Sequence, residues 1–230
     1  MKNLIKVILA AFVLASISGC TGYGVTFQSP PIGELSSCHP ALVGDWRVIE
    51  GERNAPVSSS SDFLSVNADC SQMVSVTSKL ESGKRSNKVD NLNKGKEYSV
   101  QFSIGDTEDY VVVTPKEPSF EITPEIKLPS GKIIYQINKG KDGVILRSVD
   151  LDKTAQLVLQ KKISGQLFID RDNPVSMNAY NIYVRGDSKQ ITSYLSTLDL
   201  YSNDRLLLVP ASPEEVKIIQ KAVKQNGTKK

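Results

Sequence analysis

The chain has 230 residues, of which 40% are hydrophobic and 23% are charged, and its formal net charge is +3. A globular chain of this length buries about 70% of its unfolded surface, so no metal is needed to hold the fold together. Lysine and arginine are interspersed with aspartate and glutamate and form no basic stripe, which argues against nucleic acid as a partner.

The N-terminal segment carries the pattern of an export signal. Lys2 and Lys6 give it a basic start, and residues 4–15 form an apolar run that is short for a membrane span. The following Ile-Ser-Gly-Cys at positions 17–20 resembles the lipobox that a lipoprotein signal peptidase cuts before cysteine. This resemblance implies that residues 1–19 are a signal peptide and that Cys20 receives a lipid. An ordinary signal peptide or a short membrane anchor is the alternative.

The same resemblance predicts where the mature chain resides. Thr21, rather than aspartate, follows the lipidated cysteine, and the sorting rule of bacterial lipoproteins then favours the outer membrane. We therefore expect a lipid-anchored outer-membrane protein that faces the periplasm. Loss of Lys2 and Lys6 with the signal lowers the formal charge to +1.

Two cysteines remain once Cys20 carries lipid. Cys38 and Cys70 are an even pair in an oxidising compartment, which predicts a disulfide. Two free thiols are the first alternative, and a zinc site with His39 is the second, although no fourth ligand is evident. A nucleophile–base pair of Cys38 and His39 is disfavoured because adjacent side chains on an extended segment point in opposite directions. The sequence therefore predicts no catalytic residue, metal or cofactor.

The mature chain divides into a tether, a domain and a short tail. Residues 21–37 are rich in glycine, proline and serine, so residues 20–37 are predicted to be the lipidated cysteine and a flexible tether. Residues 38–226 form a single predicted domain, and residues 227–230 are a tail.

The domain shows mainly β patterns. Tyr98–Ile104 alternates strictly between apolar and polar residues, and the run at 110–113 follows it like the second strand of a hairpin. Asp142-Gly143 is typical of a tight turn, and the charged, Asn-rich stretch 81–96 predicts an exposed loop. Further strands are predicted at residues 45–49, 63–67, 73–80, 133–138, 144–149, 166–169, 181–185 and 205–209. About ten short strands favour an antiparallel barrel or sandwich.

Three helices are expected around this β structure. Asp150 is the predicted N-cap of a helix at 151–163, and Ser188 that of a second helix with Ile191 and Leu195 inward. Ser212 precedes a proline and a capping-box glutamate and therefore starts a third helix near the C-terminus.

One motif indicates a family. Gly44 and Trp46, at the start of the first domain strand, resemble the G-x-W element of lipocalins and of lipocalin-like domains in bacterial lipoproteins. The resemblance implies an antiparallel β-barrel whose narrow end is closed by the tryptophan. It also implies that an arginine near the last strand, here Arg205, stacks on the indole as a cation–π pair.

These patterns lead to three functional hypotheses. The first is a non-catalytic lipoprotein whose barrel binds a small apolar or amphipathic ligand, lined by Tyr98, Phe102, Tyr110 and Val112. The second is a protein-interaction module of the cell envelope with a packed interior. The third, a hydrolase, requires carboxylates with shifted pKa values clustered in a cleft. A cavity of several hundred Å³ would favour the first hypothesis, whereas a filled interior would favour the second.

Overall fold

A computed structural model describes residues 24–50, 60–81, 84–92, 98–105, 108–115, 121–123, 126–127, 131–169 and 180–227. Cys20 and the predicted signal lie outside these residues. The helices are α1 (Leu151–Leu159), α2 (Ser188–Thr197) and α3 (Pro213–Gly227). The strands are β1 (Val25–Phe27), β2 (Glu34–Ser36), β3 (Gly44–Glu50), β4 (Ser60–Val66), β5 (Met73–Glu81), β6 (Lys84–Asn91), β7 (Tyr98–Ile104), β8 (Asp109–Pro115), β9 (Glu121–Thr123), β10 (Ile126–Lys127), β11 (Ile133–Gly140), β12 (Gly143–Val149), β13 (Gly165–Ile169), β14 (Tyr180–Val184) and β15 (Tyr201–Pro210).

A ten-stranded antiparallel sheet dominates the fold, and this confirms the prediction of a mainly β protein. Its strand order is β2-β7-β8-β11-β12-β15-β3-β4-β5-β6, so β3 pairs with the late strand β15. No pairing between β6 and β7 occurs among the described residues, and no closed barrel is found. The confirmed fold is therefore a large antiparallel sheet with three helices.

The sheet curls around one apolar core. Side chains from β4, β5, β7, β8, β11, β12 and β15 meet in a single buried cluster. Residues of strands that are far apart in this order, such as Leu64 of β4 and Phe102 of β7, line one cavity of about 20 Å³, which requires the sheet to bend toward itself. The concave face is thus the interior, and the helices pack on the convex face.

Two layers cover the convex face. Over β8 and β11 lie α1, α2 and a small sheet of order β1-β14-β13, joined by a second apolar cluster. Over β4 and β5 lies α3, whose Ile219 and Ala222 bury Phe63 and Val76. The convex face of β12 and β15 lies between these two layers in the strand order.

The predicted tether is wrong from residue 24 onward. Val25 and Phe27 are buried in β1, which pairs in parallel with β14, and Phe27 exchanges backbone hydrogen bonds of 2.8 and 2.7 Å with Lys132. The strand β2 also falls in the predicted tether and pairs with β7. Three-residue strands between glycines and prolines are too short to show a sequence period, which explains the error.

Two other expectations need correction. The stretch predicted as an exposed loop contains β6, whose Val89 packs beside α3. Helix α1 ends at Leu159 rather than Ile163, and Lys161 beyond it takes a left-handed φ of 57°.

The helix starts follow their capping chemistry. Asp150 caps α1 and Ser212 exchanges hydrogen bonds with Glu215 at α3, as predicted. The N-cap of α2 is Asp187, one residue before the predicted Ser188, and it forms a capping box with Gln190.

Candidate functional site

One end of the curled sheet is closed by residues 38–43, which we call the closing segment. Pro40–Leu42 forms a single 3₁₀ turn, with His39 at its N-cap. Leu42 is buried in the interior cluster beside Phe102 and Leu206. The segment therefore plugs one end of the interior with an apolar side chain.

A disulfide fixes the closing segment. Cys38 is bonded to Cys70, with the two Cα atoms 5.3 Å apart, and this confirms the predicted pairing. Cys70 lies in the turn between β4 and β5, so the bond ties the segment to the opposite side of the opening.

His39 fastens the segment at a second point. Its Nδ1 accepts from the backbone N–H of Ala41 at 3.2 Å, so Nε2 carries the hydrogen and donates to Asp109 Oδ2 at 2.9 Å. The ring is only 1% exposed and contacts Phe102 with centroids 5.8 Å apart. Both nitrogens are occupied, and the sulfur of Cys38 is in the disulfide, so neither group is free for nucleophilic chemistry.

The interior is filled. Apolar side chains leave a cavity of about 20 Å³, which is room for about one water molecule. Binding sites for small ligands typically measure about 300–1,000 Å³. The cavity is lined by Leu42, Leu64, Met73, Leu92, Val100, Phe102, Val111, Leu146, Leu206 and Leu208.

The four predicted ligand-lining residues do not share a face. Phe102 points into the interior, whereas Tyr110 and Val112 belong to the convex cluster under the small sheet. The β7–β8 register pairs Phe102 with Val111, so even-numbered residues of β7 share a face with odd-numbered residues of β8. The side chain of Tyr98 lies outside what the structure describes. The predicted lining is therefore wrong for Tyr110 and Val112.

The predicted pair of Trp46 and Arg205 is also wrong. In the β15–β3 register Trp46 faces Pro210, and Arg205 lies five residues from Pro210 along β15. That offset corresponds to about 17 Å, and its odd count puts Arg205 on the opposite face from Trp46. The described cation–π contact is instead Arg147 over Tyr201, with Cζ 5.4 Å from the ring centroid.

Two tyrosines are buried beneath the small sheet. Burial, and then the hydrogen bond to Glu108, raises the pKa of Tyr110 above its usual value. Burial also raises the pKa of Tyr201, and the neighbouring Tyr110 adds to this effect. A raised pKa in the folded state means that deprotonation favours unfolding.

We therefore expect alkaline destabilisation. Stability from both tyrosines should be complete below about pH 10 and should be lost as the pH rises further, because the unfolded chain ionises first. Melting curves at increasing pH, read with tyrosinate absorbance, check this. Tyr201→Phe should retain most of the stability at neutral pH and should show a smaller alkaline loss. An equal alkaline loss in that variant would contradict the assignment.

An open groove lies outside the closing segment. Its volume is about 820 Å³. The groove is lined by Pro40, Ala41, Trp46, Lys139, Gly140, Lys141, Asp142, Gly143, Val144, Val209 and Pro210. It therefore combines an aromatic and aliphatic surface with exposed lysines.

Local backbone geometry positions Trp46 and the neighbouring strand ends in the groove. Trp46 is partly buried, and its indole N–H donates to Leu42 O at 2.8 Å. Gly44 has a φ of +132°, a backbone conformation that favours glycine, and a Cβ at this position would lie 3.6 Å from the indole nitrogen of Trp46. The turn predicted at Asp142-Gly143 lies one residue earlier, at Lys141 and Asp142, and Gly143 begins β12, where a Cβ would lie 1.9 Å from Leu208 O. Trp46 and Asp142-Gly143 were identified from the sequence, but their meeting in one groove was not.

Acidic side chains and possible metal ligands were also located in the structure. Hydrogen bonds donated by Ser71 lower the pKa of Asp69, and one donated by Lys153 lowers the pKa of Asp199, but both carboxylates are exposed and lie apart in the chain. Within the described ranges, no group of three or more His, Cys, Asp and Glu is placed to hold a metal. No helix in those ranges is long and apolar enough to cross a membrane.

Comparisons with known proteins identify no relative of this chain. No protein-family model matches this chain, and no curated protein or solved structure matches it either.

Proposed function

We propose that this chain is a non-catalytic envelope lipoprotein, anchored through lipid on Cys20, that binds a protein partner in the groove beside Trp46. The observation that carries the proposal is the contrast between the two spaces. The interior cavity measures about 20 Å³, whereas the space of about 820 Å³ beside Trp46 is a shallow groove that is open to solvent. Binding of a small ligand inside the sheet would require a large interior cavity, whereas binding of a protein partner requires only the accessible groove.

The strand order supports a barrel-like architecture. From β3 to β15, consecutive strands of the large sheet pair with each other except at β6–β7, β15 pairs with β3, and the short strand β2 pairs with the outer edge of β7. This order is what a lipocalin-like ring opened at one junction would have. The position of Gly44 and Trp46 at the closed end agrees with that interpretation.

The shape of the groove favours a polypeptide over a small molecule. Pockets for small ligands bury about 70–90% of the ligand, whereas this groove is open to solvent along its length. Aromatic side chains such as Trp46 are common energetic centres of protein interfaces. The rigid prolines at positions 40 and 210 lose little entropy on binding.

Photo-crosslinking in the native envelope tests the proposal. A photoreactive residue replaces Lys141 in the groove, or Lys217 on α3 as a matched exposed control. We expect a discrete polypeptide adduct from position 141 but not from position 217. Trp46→Ala should remove that adduct, because the indole supplies much of the apolar contact.

A second variant separates binding from folding. Trp46→Ala also loses packing against the closing segment, so its cooperative melting is checked first. Pro210→Ser changes the rim of the groove at an exposed position and should reduce the adduct with an unchanged fold. Identical adducts from positions 141 and 217, or an adduct that survives both variants, would contradict the proposal.

A further inference from the structure

Two arginines stand side by side on the convex face. Arg147 of β12 and Arg205 of β15 are directly paired in the antiparallel register. Side chains paired in this way have Cβ atoms about 4.5–5.5 Å apart, and like charges at such positions are destabilising. The fold therefore places two positive charges where stability alone would avoid them.

Neither guanidinium forms an ion pair with a carboxylate within the described part of the chain, although the charge of Arg147 helps to lower the pKa of the exposed Asp199. Arg205 is exposed and has no hydrogen bond or ion pair with another described residue. Arg147 stacks on Tyr201 and reaches Ser202 O at 3.4 Å. Stacking holds the guanidinium in place and leaves N–H groups at its edge for another acceptor.

The arginine pair lies in line with the groove. Ile145 and Leu207 form the next direct pair on the same face, two residues from the arginines. Gly143 and Val209, which line the groove, lie two residues further along the same strands. Gly143 and Arg147 are four residues apart on β12, or about 14 Å. One extended segment of about four residues spans this distance.

We propose that Arg147 and Arg205 form an anion-binding site that receives carboxylates of an acidic segment of the partner, next to the part bound in the groove. This inference rests on the proposed function. Paired guanidinium groups match carboxylate geometry and form charge-assisted hydrogen bonds. An acidic segment with an apolar residue about four positions away fits both the arginine pair and the groove.

Binding to the purified full-length lipoprotein in detergent tests the site. The probe is a labelled oligoglutamate peptide, measured by fluorescence anisotropy at low salt. Arg205→Gln should weaken binding by about tenfold or more, because each lost charge-assisted bond contributes that much. Lys189→Gln, an exposed control on α2, should change it by less than about twofold.

Stability distinguishes a binding role from a structural one. Arg205→Gln removes repulsion from Arg147, so its melting temperature should equal or exceed that of the unaltered protein. A clear fall in melting temperature would show that Arg205 supports the fold and would overturn the site. Equal losses of probe binding in Arg205→Gln and Lys189→Gln would overturn it as well.

Two further arms identify the anion and separate the two proposals. Vesicles with phosphatidylglycerol, or inorganic phosphate, should compete weakly with the peptide. If vesicles bind in an Arg205-dependent way and the peptide does not, the acidic-segment proposal is wrong.

If the adduct from position 141 persists at full yield in Arg205→Gln, the anion site fails while the groove function stands. If the unaltered protein gives no adduct, the proposed function fails.

Discussion

Phe27→Ala should lower the free energy of unfolding by about 3–5 kcal/mol, the usual cost of removing a buried phenylalanine. Phe27 has no exposed surface and packs between the small sheet and the convex face of the large one. Urea denaturation of the full-length protein measures the change. The expected loss is large because the cluster around Phe27 joins two layers and cannot collapse freely.

Ile32→Ala is the matched control for that substitution. Ile32 lies in the same stretch but is 53% exposed, so we expect a change within about 0.5–1 kcal/mol. If Phe27→Ala were as mild as Ile32→Ala, residues 24–27 would be the flexible tether that the composition predicts, and the β1 placement would be wrong.

Loss of the disulfide should have an effect of similar size. Cys38 and Cys70 are 32 residues apart, and closing a loop of this length contributes roughly 3–4 kcal/mol in the chain-entropy treatment. Cys38→Ser and Cys70→Ser should each cost this amount, and the double variant should add little because one bond is removed in all three. Urea denaturation without reductant measures the three values.

Trp46 reports the same event optically. Its indole N–H bonds to Leu42 in the closing segment, so loosening that segment should shift the emission to longer wavelength. Reductant added to the unaltered protein should produce the same shift as Cys38→Ser. Two freely alkylated thiols in protein isolated without reductant would refute the disulfide.

Local sequence patterns were sufficient to predict features that depend on a single helix, strand or turn. The alternation at Tyr98–Ile104 predicted β7 with its observed bounds, and the Ser212–Glu215 capping box predicted the start of α3. The tight turn expected at Asp142-Gly143 lies one residue earlier, because the two loop residues are Lys141 and Asp142 and Gly143 is the first residue of β12, paired with Gly140.

Relations between elements could not be predicted in the same way. Whether Tyr110 faces the interior depends on the β7–β8 register, and one residue of slip reverses it. The distance from Trp46 to Arg205 depends on the β15–β3 register, to which no local pattern contributes. The groove joins the closing segment to the ends of β11, β12 and β15, so it exists only after folding.

The filled interior changes the interpretation of the G-x-W resemblance. In a hollow barrel the tryptophan would close a ligand chamber, whereas here Trp46 shields a packed core and lines an outer groove. The paired arginines on the convex face of β12 and β15 are a second feature that is consistent with a function carried by the exterior.

Native mass spectrometry of the envelope-purified protein distinguishes a partner-binding groove from a ligand chamber. We expect the acylated chain together with a polypeptide partner that is lost in Trp46→Ala, and no bound molecule of small mass beyond the anchor. A stoichiometric small apolar molecule that remains bound in Trp46→Ala would contradict the proposed function, because it would require an interior chamber that the packing of Leu42, Phe102 and Leu206 does not leave.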